Sequence, residues 1–311
     1  MDRLYTLAAG YATIGQGAGP MIVTERAGLF VKHGLQVETR LMRGAVGVVR
    51  GLMSGEIQFG NLAAPALLRS VLVEGADLAF LTGGINQQFL MGRPGIKSPK
   101  DLAGGRLGLV GDSGLNDVLI YFAKDILERV GLRGIRYVSI PGGGREALTK
   151  LMSQECDAIV ITPPEAIEAK RMGCHFLIDF GDYGLNYALG GIAARRSYIQ
   201  EHEEVTRKFV RAYAEGMRRY RTDREFTVGV QQEYSGIPDR SIAEETYDIT
   251  QPGMPLLPCP VLPSLKIALE IMSRQLPEAA TADPLQFVDD RFIREIEKEG
   301  PASALTKGDG L

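Results

Sequence analysis

Apolar positions along the chain fall into short runs separated by glycine turns and by amphipathic stretches at helical spacing, the pattern of strands alternating with helices. VETRLMRGAVGVVRGLMSGEIQFG (residues 37–60) predicts a strand, a glycine turn, an amphipathic helix and a short strand. RYVSIPGGGREALTKLMSQECDAIV (residues 136–160) has the same plan. Aligning Leu52-Met53-Ser54-Gly55-Glu56 with Leu151-Met152-Ser153-Gln154-Glu155 gives an offset of 151 − 52 = 99 residues and sets Gly44 opposite Gly143, where each strand turns into its helix. A strand–helix–strand unit recurring at that distance predicts two related α/β halves.

The remaining elements follow in order. Leu4–Gly10 predicts a strand and Tyr11–Gly19 a loop. A helix is expected from Pro20, tolerated at a first helical position, to Phe30, with Gly34 beyond it. Strands are expected at Val37–Met42, Ile57–Gly60 and Leu78–Thr82, with helices ending at Ser54-Gly55 and Val73. Gln88–Arg93 is apolar, ends before Pro94, and predicts a strand crossing into the second half. There Ser98–Leu102 predicts a capped turn, followed by a strand at Arg106–Val110 and a helix from Asp112-Ser113-Gly114 to Val130. The second copy of the repeat supplies a helix at Gly144–Ser153 and a strand at Asp157–Ile161. Thr162-Pro163-Pro164-Glu165 opens the next helix, and Cys174–Phe180 is a strand. Gly181–Gly191 is a polar return segment. From Ile199 the chain is mostly helical: one long helix at Glu201–Arg221, a proline-broken irregular stretch at Gln251–Pro263, and closing helices at Ser264–Gln275 and Pro284–Lys298. The first half thus draws on both chain ends, which places one lobe at residues 1–88 and 190–311 and the other, inserted, at 89–189.

With 311 residues, the chain is long enough for two cores. A net charge of −3 with no basic block argues against a nucleic-acid partner, and no apolar window is long enough to predict a membrane span. The first twenty residues lack a secretory pattern. Either the chain is cytoplasmic from Met1, or a signal was removed and the protein belongs to the periplasm or cell envelope. Three cysteines, Cys156, Cys174 and Cys259, lack metal-ligand spacing and predict neither zinc nor a disulfide framework.

His33, His175 and His202 lie in structural contexts, and no Ser-His-Asp, Cys-His or HExxH set can be assembled from them. The glycines match neither a dinucleotide fingerprint nor a phosphate loop, since Pro141-Gly142-Gly143-Gly144 lacks the following Lys-Ser/Thr. No catalytic residue, metal or cofactor is expected. What remains is a set of strand C-terminal ends facing one crevice, where doubly wound sheets bind ligands. The candidate ligand-binding residues are Tyr11, Thr13, Gln16, Arg43, Gly44, Asn61, Leu62, Ala63 and Gly84 from the first half, with Ser113, Gly114, Asn116, Thr162 and Tyr183 from the second. Helix N-termini at Arg43-Gly44 and Ser113-Gly114 would favour an anionic head group, with Arg43 forking onto a carboxylate or sulfonate. Gly83-Gly84 and Gly190-Gly191 would absorb a hinge rotation. Aromatic residues near the crevice are few: Tyr11, Phe89, Tyr183 and Tyr187.

The order of elements and the phrases ERAGLFVKHGLQVE, GLMSGEIQFG, IKSPKDLAGGRLGLV and AARRSYIQEHEEVTRKFVRAY resemble the solute-binding proteins of ABC importers for nitrate, sulfonates, taurine and thiamine-pyrimidine precursors. The resemblance covers roughly residues 6–220. It implies the periplasmic-binding-protein type II fold: two doubly wound α/β lobes joined by two crossing strands, with a ligand cleft between them and a helical C-terminal extension on the first lobe. It also implies a small-molecule ligand, an importer permease as partner if the chain is exported, and a monomer. In that fold the crossing strand would separate Cys156 from Cys174 by about two strand spacings, ~10 Å, too far for a bridge. The family includes enzymes. A pyrimidine-precursor synthase of this fold carries a cofactor-binding Lys and a His four residues later, in the segment matching Phe59–Ala66. Those positions here are Leu62 and Ala66, and that enzyme's cysteine cluster is absent. A sulfinate desulfinase of this fold has a cysteine in the first loop, and Tyr11–Gly19 has none. The expectation is therefore a binding protein, with a cytoplasmic enzyme or ligand sensor on the same fold as the alternative.

Overall fold

A computed structural model describes residues 4–42, 44–84, 87–110, 127–183, 190–260 and 262–300. They contain two five-stranded mixed sheets. The first is ordered β2-β1-β3-β10-β4, from β1 (Tyr5–Tyr11), β2 (Leu35–Leu41), β3 (Phe59–Leu62), β4 (Leu78–Phe80) and β10 (Gly191–Arg195). The second is ordered β7-β6-β8-β5-β9, from β5 (Phe89–Gly92), β6 (Arg106–Val110), β7 (Arg136–Ile140), β8 (Ala158–Ile161) and β9 (His175–Asp179). In each sheet one strand runs against its neighbours. β10 lies antiparallel between β3 and β4, and β5 antiparallel between β8 and β9. These are the first strands after each passage between sheets, so the two halves exchange equivalent strands.

The internal repeat has a structural counterpart. Adding 99 to β3 (59–62) gives 158–161, the bounds of β8. The helices α3 (Gly44–Ser54) and α5 (Gly144–Met152) also correspond, each opening at its glycine turn. Four further helices frame the first sheet: α1 (Gly19–Arg26), α2 (Leu29–Lys32), α4 (Ala64–Glu74) and α8 (Glu203–Thr222). The short α6 (Glu165–Arg171) follows β8, as α4 follows β3. The apolar face of α8 presents Phe209, which stacks between Phe30 and Phe59 with ring centroids 5.0 and 3.9 Å away. All three rings are buried.

Several expectations need correction. The helix expected over Pro20–Phe30 is two helices, broken where Gly28 takes a left-handed φ of 69°. The closing helix at Pro284–Lys298 is a 3-10 turn (Pro284–Phe287) and a separate helix (Arg291–Glu299). Between them the backbone of Val288 is extended, and Asp289 N–H bonds to the Phe80 carbonyl at 2.8 Å. The long helix starts at Glu203, after a shorter α7 (Arg196–Glu201) that ends at His202. β10 falls where the sequence suggested no element. The helical tail includes α9 (Arg224–Ser235) and α10 (Arg240–Thr250). The turn at Ser98 is a capping box closed by Asp101. The helix expected from Asp112 begins outside the described residues.

Asp157 ties the second sheet together at the entrance to β8. Its carboxylate accepts from Arg93 Nε at 3.1 Å, from Arg106 Nε at 3.1 Å and from the Arg106 backbone N–H at 2.9 Å. These bonds, Arg106's first, hold its pKa at about 2. Cys156, Cys174 and Cys259 are free thiols. Burial raises the pKa of each, which leaves them poor nucleophiles. Among the described residues no helix is long and apolar enough to cross a membrane, and no group of His, Cys, Asp and Glu could hold a metal ion.

Candidate ligand cleft

A cavity of about 1240 Å³ opens between the two sheets at the C-terminal ends of β1, β3, β6 and β8. Strand ends converge there because each repeat turns from strand into helix at that edge, leaving loop backbone and short side chains around the opening. Of the residues picked from the sequence, Thr13, Gln16, Gly44, Asn61, Leu62, Ala63, Gly84 and Thr162 line it. Tyr11 does not. Its ring packs edge-on against Tyr234, centroids 5.9 Å apart, and joins the core under the first sheet. Phe89 likewise packs on Phe176 within the second core. Arg43, Ser113, Gly114, Asn116 and Tyr187 lie outside the described residues, as does the side chain of Tyr183.

Gln16 is a buried polar group at the site, and Gln88, also in the lining, has a buried Oε1 without a partner. Gln16 sits in a 3-10 turn (Gln16–Ala18), is 4% exposed, and its Oε1 accepts from the Gln87 N–H at 3.2 Å. That bond fixes the amide's orientation. Nε2 is left buried and without a partner, in a residue that lines the cleft. A buried donor of this kind costs about 1–3 kcal/mol until something accepts from it. The loop around it is pinned by Tyr234, whose hydroxyl accepts from Gly15 N–H at 3.1 Å and donates to the Thr13 carbonyl at 3.2 Å. Gly15 approaches the facing lobe: a Cβ there would stand 4.0 Å from Thr162 Oγ1.

Gly44 takes a φ of 72°, a conformation that favours glycine, and its N–H donates to the carbonyls of Ala12 and Met42. It brings the backbone close to the cleft, while its own N–H is already engaged. Asn61 lies beside the fully buried Tyr213 hydroxyl, whose pKa burial drives up and Asn61 partly offsets.

Other lining residues carry charge that sequence reasoning passed over. Arg50 on α3 and Arg69 on α4 are exposed, line the cleft and have no ion-pair partner among the described residues. On the opposite side stands Glu165, the first residue of α6, with its pKa raised by burial. Its neighbour Arg145 is paired with Glu168 instead. Ile14, Leu41 and Val46 line the same space with large apolar side chains that are 46%, 52% and 41% exposed. Strand–turn–helix periodicity identifies the edge but not which charged side chain turns inward, so Glu165 read only as a helix-opening residue. The described lining therefore carries Arg50, Arg69 and Glu74 on the first-lobe side, Arg145 and Glu165 on the second, and an apolar lip, with neither Cys nor His.

The crossing glycines are in close contact with other backbone. A Cβ on Gly191 would fall on the Thr82 carbonyl, and one on Gly83 on the Cys259 carbonyl. Glycine is needed there for packing.

Known proteins share this fold. The alkanesulfonate-binding protein SsuA from Xanthomonas axonopodis pv. citri, solved with MOPS, matches with a TM-score of 0.72 at 16% identity, over 93% of this chain and 100% of that one. The periplasmic nitrate-binding protein NrtA from Synechocystis PCC 6803 matches with a TM-score of 0.77 at 12% identity, over 98% and 92%. The desulfurization enzyme DszB matches with a TM-score of 0.70 at 14% identity, over 95% and 99%. Comparison with curated proteins returns no match. At such identities these likenesses establish the two-lobed α/β fold. The NMT1/THI5-like family model covers residues 17–223, from the Gln16 loop through both copies of the repeat to the end of α8, and the chain belongs to that family.

Proposed function

We propose that the protein is the solute-binding component of an ABC-type importer and captures a small organic acid in the cleft by hinge closure. The observation that carries this reading is the cleft itself. A buried, oriented Gln16 with an unpartnered Nε2 lines an opening bounded by backbone turns, guanidiniums that lack an ion-pair partner among the described residues, and apolar side chains. Such a site binds and orients, and its described lining offers no cysteine or histidine nucleophile. The names of SsuA and NrtA support a sulfonate- or nitrate-like class, and the apolar lip of Ile14, Leu41 and Val46 favours an organic body over a bare inorganic ion. In this reading residues 1–88 with 190–311 form one lobe and 89–189 the other, closing as a monomer that delivers its load to a permease. Arg43, between the cleft-lining Met42 and Gly44 in sequence, is the proposed partner of the acid group.

DszB shows that the same scaffold can carry an enzyme, so catalysis is the second reading. Against it, the thiols of this chain lie outside the described cleft lining.

A thermal-shift screen of sulfonates, carboxylates, pyrimidines and aromatic acids tests the proposal. A ligand at a hundred times its Kd stabilises by about 2.7 kcal/mol, a rise of several degrees. Dose-dependent stabilisation by an acid without its turnover is the expected result. No shift with any compound, or turnover abolished by one cleft substitution, would overturn it.

A further inference from the structure

The helical tail touches both halves of the molecule, away from the segments where the chain passes between the sheets. α9 and α10 pack on each other through Val228, Ala243 and Tyr247. This pair is anchored on the first half. Val230 is buried in the core of the first sheet, with Phe226 and Tyr234 packed against that core. Thr227 Oγ1 donates to the Tyr220 carbonyl of α8 at 3.0 Å, and the Tyr234 hydroxyl holds the Gln16 loop through Gly15 and Thr13.

The same pair is also joined to α6, the helix that follows β8 of the second sheet. Ile237 and Ile242 are buried in one cluster with Ile167 of α6, and Phe176 of β9 and Ile249 pack against it. Charge pairs surround this apolar centre. Lys170 Nζ donates to Glu245 at 2.6 Å, and Arg171 donates to Asp239 at 2.7 Å, to Ser241 Oγ at 2.7 Å and to Glu245 at 3.3 Å. The isoleucines supply attraction without direction. The charge pairs, partly exposed, fix which surfaces meet and in what register.

Two crossings alone would leave the sheets free to rotate about each other as on a hinge. A third attachment resists that rotation. It is made while the two halves are close, since Gly15 and Thr162 approach each other across the cleft. We infer that the contact between α6 and α10 is a clasp between the lobes, which holds the second lobe against the first and must part for the cleft to open. The clasp uses only the lobe division read above and stands whatever the cleft binds. Lys170, Arg171, Asp239 and Glu245 are not among the described lining residues of the cleft. They tune solute affinity from outside it, because apparent affinity scales with the population of the binding-competent arrangement.

Small-angle X-ray scattering on the full chain, dialysed free of small molecules, tests this. Glu245→Lys sets like charges against each other at the clasp, and the radius of gyration should rise above the wild-type value. Lys170→Glu combined with Glu245→Lys restores an opposite-charge pair and should bring the radius back, a rescue that general destabilisation would not give. Arg171→Glu reverses the charge on the α6 side, should raise the radius in the same way, and serves if Glu245→Lys does not fold. An unchanged radius in both single variants, or a rise that the swapped pair leaves in place, would overturn the inference. Neither result bears on whether the cleft takes an acid, which the thermal-shift screen decides.

Discussion

Replacing Asp157 with asparagine should destabilise the protein, and by an amount that depends on pH in a predictable way. Four hydrogen bonds, one from Arg93 just past β5 and three from Arg106 of β6, converge on this carboxylate, which is 14% exposed and titrates at about 2 against an ordinary 3.8. A shift of that size corresponds to about 2 kcal/mol of stability at neutral pH. Arg93 and Arg106 are about a third exposed, and screening by solvent pulls the figure toward 1 kcal/mol. The pKa is depressed on folding, so the contribution is fully present above the unfolded value near 4 and drains away as pH falls through 2. By pH 3 roughly half should remain. Urea melts of wild type and Asp157→Asn between pH 7 and 3 measure the difference directly. Asparagine keeps the shape but cannot carry the charge, so the gap between the two proteins should narrow as the solution is acidified. A gap that is absent at pH 7, or constant down to pH 3, would refute the assignment of the depressed pKa to these bonds.

Two further substitutions probe the frame that holds the cleft. Gly191→Ala should cost about 1–3 kcal/mol in denaturant melts, because a methyl group there meets the Thr82 carbonyl and backbone cannot swing aside as a side chain can. A wild-type melt would mean that the crossing has slack. Phe209→Ala should cost about 3–5 kcal/mol by emptying the space between Phe30 and Phe59, and a loss below 1 kcal/mol would show that the core collapses around the gap.

The sequence carried the architecture wherever a local rule set it. The 99-residue repeat located β3, β8, α3 and α5, because turn glycines and helical apolar spacing are local signals. β10 escaped because GIAAR is short and built of small residues, and its strand state comes from pairing with β3 and β4, far away in sequence. The break at Val288–Asp290 escaped for the same reason: the Asp289 N–H bonds across to β4, an attraction that no helical periodicity records. Gly83 and Gly191 looked like hinge residues by type, and only tertiary contact reveals the carbonyls packed against them. At the cleft, the polar turn residues were legible from their position at strand ends. The place of Glu165 in the cleft lining, the lack of an ion-pair partner for Arg50 and Arg69 among the described residues and the withdrawal of Tyr11 into the core are consequences of packing that a single sequence does not display.

In the proposed function the cleft holds one small organic acid through the Gln16 loop. Calorimetric titration of the best acid from the thermal screen into wild type and Gln16→Leu tests it most directly. The variant keeps an apolar stem of similar size and removes the unpartnered donor. One molecule bound per chain, with affinity about 10-fold or more weaker in the variant, is the predicted result. Equal affinity in the two proteins would contradict it.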